Sequence, residues 1–241
     1  MPDAILNARG VSKHFGGFVA LENVDFQVCT GERVGLLGPN GSGKSTLVNC
    51  ITGTLHNDTG EVVFQGENLN RMVAHQRIRR GISRTFQIPR PFRSMTVREN
   101  VEVALLYAGQ TAAKPHGNGD EARVILDQVG LGRQADADAR QLSQVELRKL
   151  ELARAMAARP KLLIADEAMA GLSNSEVDEI LTLLFRLNEA GISIVMIEHI
   201  MYAVMKFSQR ICVLVAGRKI ADGDPQAVVT NPEVEKAYLG E

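Results

Sequence analysis

One short stretch limits the folds open to this chain more than any other: residues 38–46, which read GPNGSGKST. The stretch fits the pattern G-x-x-x-x-G-K-[ST], in which glycines let the backbone wrap around phosphate oxygens and direct N–H groups at them. An apolar run at residues 34–37 precedes it, and an apolar-periodic segment at residues 47–51 follows it. Because strand, loop and helix in this order are the context that the motif requires, we predict a phosphate-binding loop rather than a glycine-rich turn that binds nothing.

The side chains of this loop suit a magnesium-bound nucleoside triphosphate. Lys44 supplies a full charge for the β- and γ-phosphates, the Ser45 hydroxyl is placed for Mg²⁺, and the Thr46 hydroxyl can reach the α-phosphate. The predicted nucleotide contacts from the loop are Gly38, Asn40, Gly41, Ser42, Gly43, Lys44, Ser45 and Thr46.

Composition excludes several classes of protein. The chain has 241 residues, of which 45% are hydrophobic, so it can bury a sizeable core. Its formal net charge is −1, without the excess of Lys and Arg that a general nucleic-acid surface carries, so we expect no nucleic-acid partner. We see no signal peptide, no apolar run long enough to span a membrane, and no metal-ligand spacing among the three cysteines. These features favour a cytosolic protein with reduced thiols.

Residue patterns divide the chain into a strand-rich core and a helical insertion. Residues 20–28 alternate apolar and polar side chains, which is typical of a half-buried antiparallel strand, whereas residues 162–165 are continuously apolar, like a buried parallel strand. Helices and strands alternate after residue 160, which indicates a parallel α/β sheet. We predict an α/β fold, a P-loop NTPase core with a parallel sheet and an antiparallel β subdomain (residues 1–86 and 160–241), and an inserted helical subdomain (residues 87–159).

Three local features are interpreted from the sequence alone. Phe15 is either a residue at the edge of the core or a ring that stacks on a nucleotide base. The arginine cluster formed by Arg77, Arg79, Arg80 and Arg84 is interpreted as a solvated face. Residues 82–86 are interpreted as a strand, and residues 222–225 (DGDP) as a turn before two short helices.

Charged and polar side chains end the buried strands. Asp166 and Glu167 follow one apolar strand, and His199 follows the next. Because open α/β sheets bind ligands at the carboxyl ends of their strands, we predict that Asp166 holds Mg²⁺ and that Glu167 orients or deprotonates the attacking water. His199 would contact the γ-phosphate, and the Gln87 amide would reach Mg²⁺ and water.

A capping box precedes one of the insertion's helices. Residues 143–146 read SQVE, the S-x-x-E pattern of a helix N-terminus. The pattern indicates either a well-capped helix and nothing more, or a helix N-terminus directed at an anion.

Together these motifs resemble the nucleotide-binding subunit of an ABC transporter over almost the whole chain. The resemblance matches Phe15 to the adenine-stacking aromatic, residues 38–46 to Walker A, Gln87 to the Q-loop, residues 142–146 to the signature, residues 162–167 to Walker B, residues 170–173 to the D-loop and His199 to the switch histidine. Within that family, residues 83–87, 95–100 and 231–240 resemble the ATPases of branched-chain amino acid importers, and related urea and amide importers share these features.

The resemblance implies a Mg²⁺-dependent ATPase that works as a homodimer or as a heterodimer with a paralogous ATP-binding subunit. Each ATP would lie between Walker A of one subunit and the signature helix of the other, where Ser143 would contact it. A groove near Gln87 and residues 89–93 would receive a cytoplasmic helix of the transmembrane permease. The chain would then sit peripherally at the cytoplasmic face of the inner membrane, and a periplasmic solute-binding protein would act indirectly.

The signature departs from the usual Leu-Ser-Gly-Gly-Gln. Gln144 and Val145 replace both glycines, and Glu146 replaces the glutamine. Side chains limit how closely the backbone can approach a γ-phosphate, and a carboxylate adds negative charge there unless the capping box occupies it. Our hypothesis is that this signature serves a weakened ATP site and that a paralogous partner supplies a stronger one.

Three other functions compete with this one. The cytosolic ATPase of a lipopolysaccharide exporter has a similar length, but residues 84–87 (RTFQ) argue against it because that family resembles Leu-Pro-Gln there. A soluble ABC protein of translation or DNA repair would need a second cassette or a long coiled-coil insertion. A P-loop NTPase or kinase without a partner would be separated from a transporter subunit by ATPase assays with and without the permease.

Overall fold

The computed structural model of the protein describes residues 3–86, 89–108 and 118–239. In these ranges ten strands form two sheets, and nine α-helices accompany them. The strands are β1 (Ala4–Phe15), β2 (Phe18–Cys29), β3 (Arg33–Leu37), β4 (Thr59–Phe64), β5 (Glu67–Asn68), β6 (Ile82–Arg84), β7 (Leu162–Asp166), β8 (Ser193–Ile197), β9 (Arg210–Val215) and β10 (Arg218–Gly223). The helices are α1 (Lys44–Thr52), α2 (Ala74–Arg80), α3 (Val97–Tyr107), α4 (Asn118–Gln128), α5 (Gln144–Met156), α6 (Asn174–Glu189), α7 (Met201–Phe207), α8 (Pro225–Val229) and α9 (Pro232–Leu239).

The larger sheet has the strand order β10-β9-β3-β8-β7-β6, and its neighbours are parallel except for the antiparallel edge strand β10. Successive residues of its inner strands point to opposite faces of the sheet, and each face packs in a separate hydrophobic core. In β7, Leu162 and Ile164 pack with the smaller sheet and α1, whereas Leu163 and Ala165 pack with the helices. Because both faces are covered, these strands are apolar throughout, as the sequence predicted for residues 162–165.

The smaller sheet is antiparallel, with the order β2-β1-β4-β5. The partners of Leu6 and Ala8 in β1 are Val28 and Phe26 in β2, and β4 pairs with β1 on its other side. One face of this sheet shares a core with α1 and the larger sheet, which explains the alternation of residues 20–28. The predicted fold class, a parallel α/β core with an antiparallel β sheet and inserted helices, is confirmed.

Helices α3, α4 and α5 lie between β6 and β7 in the chain and pack on one another. Val101, Leu126 and Leu150 are fully or almost fully buried in the core that these helices share with one face of the larger sheet. The assignment of residues 87–159 to a separate subdomain stays a prediction. None of the helices in the described ranges combines the length and the apolar composition that crossing a bilayer requires.

Two sequence-based element predictions were wrong. Asp222 and Gly223 do not form a turn: they belong to β10 and pair with Cys212 and Ile211 of β9. The chain reverses earlier, at Ala216 and the following glycine, which both have positive φ angles. Strand β6 ends at Arg84, two residues before the predicted end of the strand.

The interpretation of Arg77 as part of a solvated face was also wrong. Its side chain is fully buried, and its guanidinium donates to the carbonyl oxygens of Cys50 (2.6 Å), Ile51 (2.9 Å), Leu69 (2.8 Å) and Met72 (3.0 Å). The first two are among the last carbonyls of α1, which have no partners within the helix. A buried cation therefore stabilises the C-terminus of the helix whose N-terminus forms the predicted phosphate site.

Candidate active site

Three polar segments meet at the carboxyl ends of the central strands. The predicted phosphate loop follows β3, Asp166 ends β7, and His199 follows β8, which lies between those two strands. A cavity of about 210 Å³ lies here, lined by Phe18, Ala20, Asn40, Gly41, Ser42, Gly43, Lys44, Ser45, Thr46, Asp166, Glu167, Ile197 and His199. The structure thus brings most of the predicted site residues to one place.

The loop backbone depends on glycine at two positions. Gly38 has a φ of 149° and Gly43 a φ of 105°, and residues that carry a Cβ atom rarely adopt such values. A Cβ on Gly38 would lie 2.2 Å from the carbonyl oxygen of Leu214, and one on Gly43 would lie 2.7 Å from that of Ala20. The tight path of the loop therefore excludes any other residue at either position.

Helix α1 begins without a cap. Its N-cap residue is Gly43, no side chain caps its first turn within the described ranges, and that turn contains no acidic residue. The first N–H groups of a helix lack partners within the helix, and they carry the positive end of its dipole. This end of α1 is consequently available to an anion in the cavity.

Lys44 and Ser42 add two further donors to the loop. The Lys44 Nζ donates to the carbonyl oxygens of Gly38 (2.7 Å) and Pro39 (3.0 Å), which leaves one of its three N–H groups for a ligand. Burial lowers the pKa of Lys44, while the nearby Glu167 and Asp166 oppose that shift. The Ser42 hydroxyl is buried and has no hydrogen-bond partner within the described part of the chain. Free amides, an ammonium and an unsatisfied hydroxyl fit phosphate oxygens.

Glu167 meets His199 across the cavity. Glu167 has a φ of 47°, in the left-handed region, and its N–H donates to the carbonyl oxygen of Ile197 at 2.8 Å. Its Oε1 lies 3.4 Å from His199 Nε2. The unusual backbone angle and the bond to β8 fix the Glu167 backbone at the end of the sheet.

Asp166 is held by Arg84, which the sequence predicts to lie on a solvated face. Its Oδ2 accepts hydrogen bonds from Arg84 Nη2 at 2.5 Å and from Nε at 3.2 Å. Arg84 is mostly buried, so its place in a solvated face was wrong. The two residues are 82 positions apart, and no local pattern signals the pairing.

Glu198 adds a second buried carboxyl group beside the site. Its Oε1 accepts a hydrogen bond from the N–H of Met169 at 2.8 Å, and burial raises the pKa of Glu198 to about 7. This group therefore stabilises the chain segment that follows Glu167.

Some predicted residues do not line this cavity. Phe15 is half-exposed on the β1–β2 hairpin, opposite Phe18, and Phe18 rather than Phe15 lines the cavity. Gly38 lies at the base of the loop, where its N–H donates to the Tyr238 hydroxyl of α9 at 2.8 Å. Gln87 lies outside the described residues.

Ser143 lies away from the cavity, at the N-terminus of α5, and forms the predicted capping box. The Ser143 N–H donates to Glu146 Oε2 at 2.8 Å, and the Glu146 N–H donates to Ser143 Oγ at 3.4 Å. Gln134 donates to the other oxygen of Glu146 at 3.0 Å. The bond from the Ser143 N–H is the main cause of a lowered pKa of Glu146, so this carboxylate is charged at neutral pH.

A larger cavity of about 1010 Å³ opens between α2, α3 and α5. Its wall combines exposed apolar side chains with arginines: Ile78, Arg79, Phe86, Arg90, Tyr107 and Arg154. Ser45, Asp166 and Glu167 also line it, so this groove reaches the smaller cavity from the side of the inserted helices.

Comparison with known proteins places these features in one family. The family model described as "ABC transporter" matches residues 21–170, and that described as "Branched-chain amino acid ATP-binding cassette transporter" matches residues 218–241. The high-affinity branched-chain amino acid transport ATP-binding protein LivG of Escherichia coli (strain K12) is 37% identical over all of both chains, and BraF of Pseudomonas aeruginosa is 36% identical with the same coverage.

Solved structures are similar over nearly the whole chain. The ADP conformation of an ATP-binding cassette of an ABC transporter is 32% identical, with a TM-score of 0.90, covering 99% of this chain and 100% of that one. A dimeric post-hydrolysis state of an ATP-binding cassette bound to ADP and Pi is 28% identical, with a TM-score of 0.81, covering 91% of this chain and 98% of that one.

Proposed function

Because this chain belongs to the ABC transporter family, among the ATP-binding proteins named for branched-chain amino acid transport, we propose that it binds and hydrolyses ATP to power a membrane importer. The proposed solute is a branched-chain amino acid or a related small polar molecule. The observation that carries the proposal is the cavity where the uncapped N-terminus of α1, Lys44, Glu167 and His199 come together.

The proposed nucleotide contacts come from the loop and its helix. The amides of residues 41–46 and the ammonium of Lys44 bind the phosphate oxygens, and the Ser42 hydroxyl gains the partner that it lacks within the described chain. Ser45 and Asp166 are the proposed magnesium ligands, with Gln87 as a further one. When bound, Mg²⁺ supplies Lewis acidity toward the transferred phosphoryl group.

Glu167 is the proposed general base. Its carboxylate takes a proton from the water that attacks the γ-phosphate, and positioned bases of this kind contribute about 10²- to 10⁴-fold to rate. His199 lies 3.4 Å from that carboxylate, so the imidazole can hold Glu167 in place and also reach the γ-phosphate. Both side chains line the cavity that holds Lys44.

The base of the nucleotide has two aromatic candidates on one hairpin. Phe15 is the residue that the family motif indicates, and Phe18 is the one that lines the cavity. Phe15 and Phe18 are 47% and 62% exposed, which leaves a face of either ring open to stacking. We keep Phe15 as the proposed contact and expect that Phe15→Ala weakens ATP binding more than Phe18→Ala.

The groove between α2, α3 and α5 is the proposed docking site of the permease. Tyr107 and Phe86 are 77% and 59% exposed there, and Arg79, Arg90 and Arg154 line the same groove. An amphipathic cytoplasmic helix with apolar anchors and acidic neighbours fits this combination. This placement would hold the protein peripherally at the cytoplasmic face of the membrane, with any periplasmic solute-binding protein acting through the permease.

The proposed active form contains two ATP-binding subunits. Ser143 does not line the cavity of its own chain, which agrees with a contact to the nucleotide of a partner. Glu146 closes the N-terminus of α5 with a charged carboxylate, and this supports the hypothesis that a paralogous subunit supplies the stronger signature.

The test is reconstitution in proteoliposomes with the permease, a paralogous ATP-binding subunit and a periplasmic solute-binding protein. We expect ATP-dependent uptake of radiolabelled leucine that requires both ATP-binding subunits and falls to background with Glu167→Gln. ATP hydrolysis that is unaffected by the permease would instead support a P-loop NTPase without a membrane partner. Stimulation by lipopolysaccharide rather than by solute would support the exporter alternative.

A further inference from the structure

The ion pair between Arg84 and Asp166 has no role in the function proposed above. Arg84 is the last residue of β6, and its position in the sheet is opposite Ile164 of β7, two residues before Asp166. The two side chains are only 14% and 10% exposed, and Arg84 Nη2 lies 2.5 Å from Asp166 Oδ2. The site therefore contains a cation of its own beside the carboxylate that is the proposed metal ligand.

Arg84 is fixed on three sides. Its Nη1 donates to Asn49 Oδ1 at 2.6 Å, and Asn49 lies one turn after Ser45 on α1. The centroid of the Phe86 ring lies 5.5 Å from the guanidinium carbon of Arg84. Arg84 thus connects Asp166 with the helix that carries the predicted phosphate site, in a planar arrangement that arginine forms and lysine does not.

We propose that Arg84 is a resident countercharge that stabilises the Asp166 carboxylate in the metal-free site and competes with the divalent cation for it. The inference rests on the proposed function, because it assigns the cation to the same site. Asp166 and Glu167 are adjacent carboxylates at a mostly buried position, and an internal cation lowers the cost of holding them there without a metal. The same positive charge opposes a second cation at the same oxygens.

Structural and competitive roles predict different results. If Arg84 only supports the fold, its removal lowers stability and leaves metal affinity unchanged or weakened. If the guanidinium competes, its removal lowers the stability of the nucleotide-free protein and tightens metal binding. The decisive measurement is therefore the affinity of the metal, independent of turnover.

The experiment compares Arg84→Gln, Arg84→Lys and the control Arg80→Gln. Arg80 is a suitable control because it also pairs with a carboxylate, Glu67 at 2.6 Å, but on an exposed surface. Mn²⁺ binding to the ADP complex of the full chain is measured by electron paramagnetic resonance, and calorimetry follows unfolding without nucleotide. For Arg84→Gln we expect Mn²⁺ binding about tenfold tighter, the size of effect that a charge within hydrogen-bond reach has on a neighbouring ionisable group, and a lower Tm.

Arg84→Lys keeps the charge but loses the bond geometry, so we expect Mn²⁺ binding about threefold tighter. Arg80→Gln should bind Mn²⁺ as the wild type does. Unchanged or weaker Mn²⁺ binding in Arg84→Gln overturns the proposal. If the glutamine variant does not fold, unchanged or weaker Mn²⁺ binding in Arg84→Lys overturns it instead. A wild-type protein that binds neither ADP nor Mn²⁺ would overturn the proposed function instead.

Discussion

Two helices of this protein begin at positions predicted to face a phosphate, and they begin in opposite ways. At α1 the N-cap is Gly43, with no side-chain cap and no acidic residue in the first turn. At α5 the N-cap is Ser143, and Glu146 completes a reciprocal capping box. The first helix leaves its N–H groups for a ligand, whereas the second uses its own side chains to satisfy them.

The difference shows that the donors at a helix N-terminus can serve the fold or a ligand. At α1 the charges near the helix end include the Lys44 ammonium, which adds to the positive dipole. At α5 the Glu146 carboxylate is negative and has a lowered pKa, so it cancels part of that dipole. We therefore expect most of the attraction for phosphate in this chain to come from α1.

The largest effect is expected from a substitution at the α1 site that slows ATP hydrolysis without preventing ATP binding. Glu167→Gln should reduce ATP turnover by about 10²-fold or more, the contribution of a positioned general base, while ATP still binds. Single-turnover hydrolysis in the assembled transporter and equilibrium binding of ATP measure the two quantities. Hydrolysis near the wild-type rate in this variant would assign the base to another residue.

The next effect compares the two helices directly. Lys44→Ala should weaken ATP binding by about 10- to 100-fold, the value of one charge-assisted hydrogen bond. Lys149→Ala is the matched control on α5, because Lys149 pairs with the half-exposed Glu179 at 2.6 Å and does not line the cavity, so this substitution should change ATP affinity by less than about twofold. Equal losses in the two variants, measured by calorimetric titration, would contradict the contrast between α1 and α5.

A smaller effect is expected when α5 is made more like α1. Glu146→Gln keeps the capping partner and removes the charge, so ATPase activity of the assembled transporter should rise about two- to fivefold, the range of a charge at a helix end. Combined Gln144→Gly and Val145→Gly should raise it further and reduce its dependence on the paralogous partner. Glu176→Gln at the similarly capped α6 is the control. Unchanged activity and an unchanged requirement for the partner would rule out the weakened-signature hypothesis.

The smallest effect is a pH dependence of stability at α5. Because the Glu146 pKa is lowered on folding, its charge stabilises the folded state fully above its usual pKa of 4.5, and this contribution is lost as pH falls through the lowered value. The free energy of unfolding of the wild type should therefore be about 0.5 kcal/mol higher than that of Glu146→Gln near pH 7, and this difference should shrink below pH 4.5. Urea unfolding at several pH values measures this difference in the free energy of unfolding. A difference that grows as the pH falls would contradict a lowered pKa of Glu146.

Local signals made much of the fold predictable. In α3, apolar side chains recur at helical spacing within residues 97–107, and Thr96 and Glu99 form a capping box at the start of the helix. The central strands were recognisable because burial on both faces makes them continuously apolar. The P-loop motif identified most of the residues that line the cavity, because phosphate binding by such a loop depends on particular residue types at fixed spacing.

Contacts between distant segments were not predictable. Arg77 and Arg84 look like surface residues in the sequence, because their partners at Cys50 and Asp166 are far along the chain. Strand β10 carries polar residues and ends in a sequence typical of turns, and its pairing with β9 decides its structure. Which aromatic residue lines the cavity, Phe18 rather than Phe15, depends on the geometry of the β1–β2 hairpin.

The hydrogen bond between Gly38 and Tyr238 joins positions that are 200 residues apart. During synthesis, the first amide of the phosphate loop leaves the ribosome long before its acceptor on α9 exists. Glu167 and His199 also lie in the later part of the chain. Co-translational folding can therefore form the early hairpin and α1. The site gains its carboxylate and imidazole only after β7 and β8 have joined the sheet, and the loop gains the support of Tyr238 only after α9 has docked.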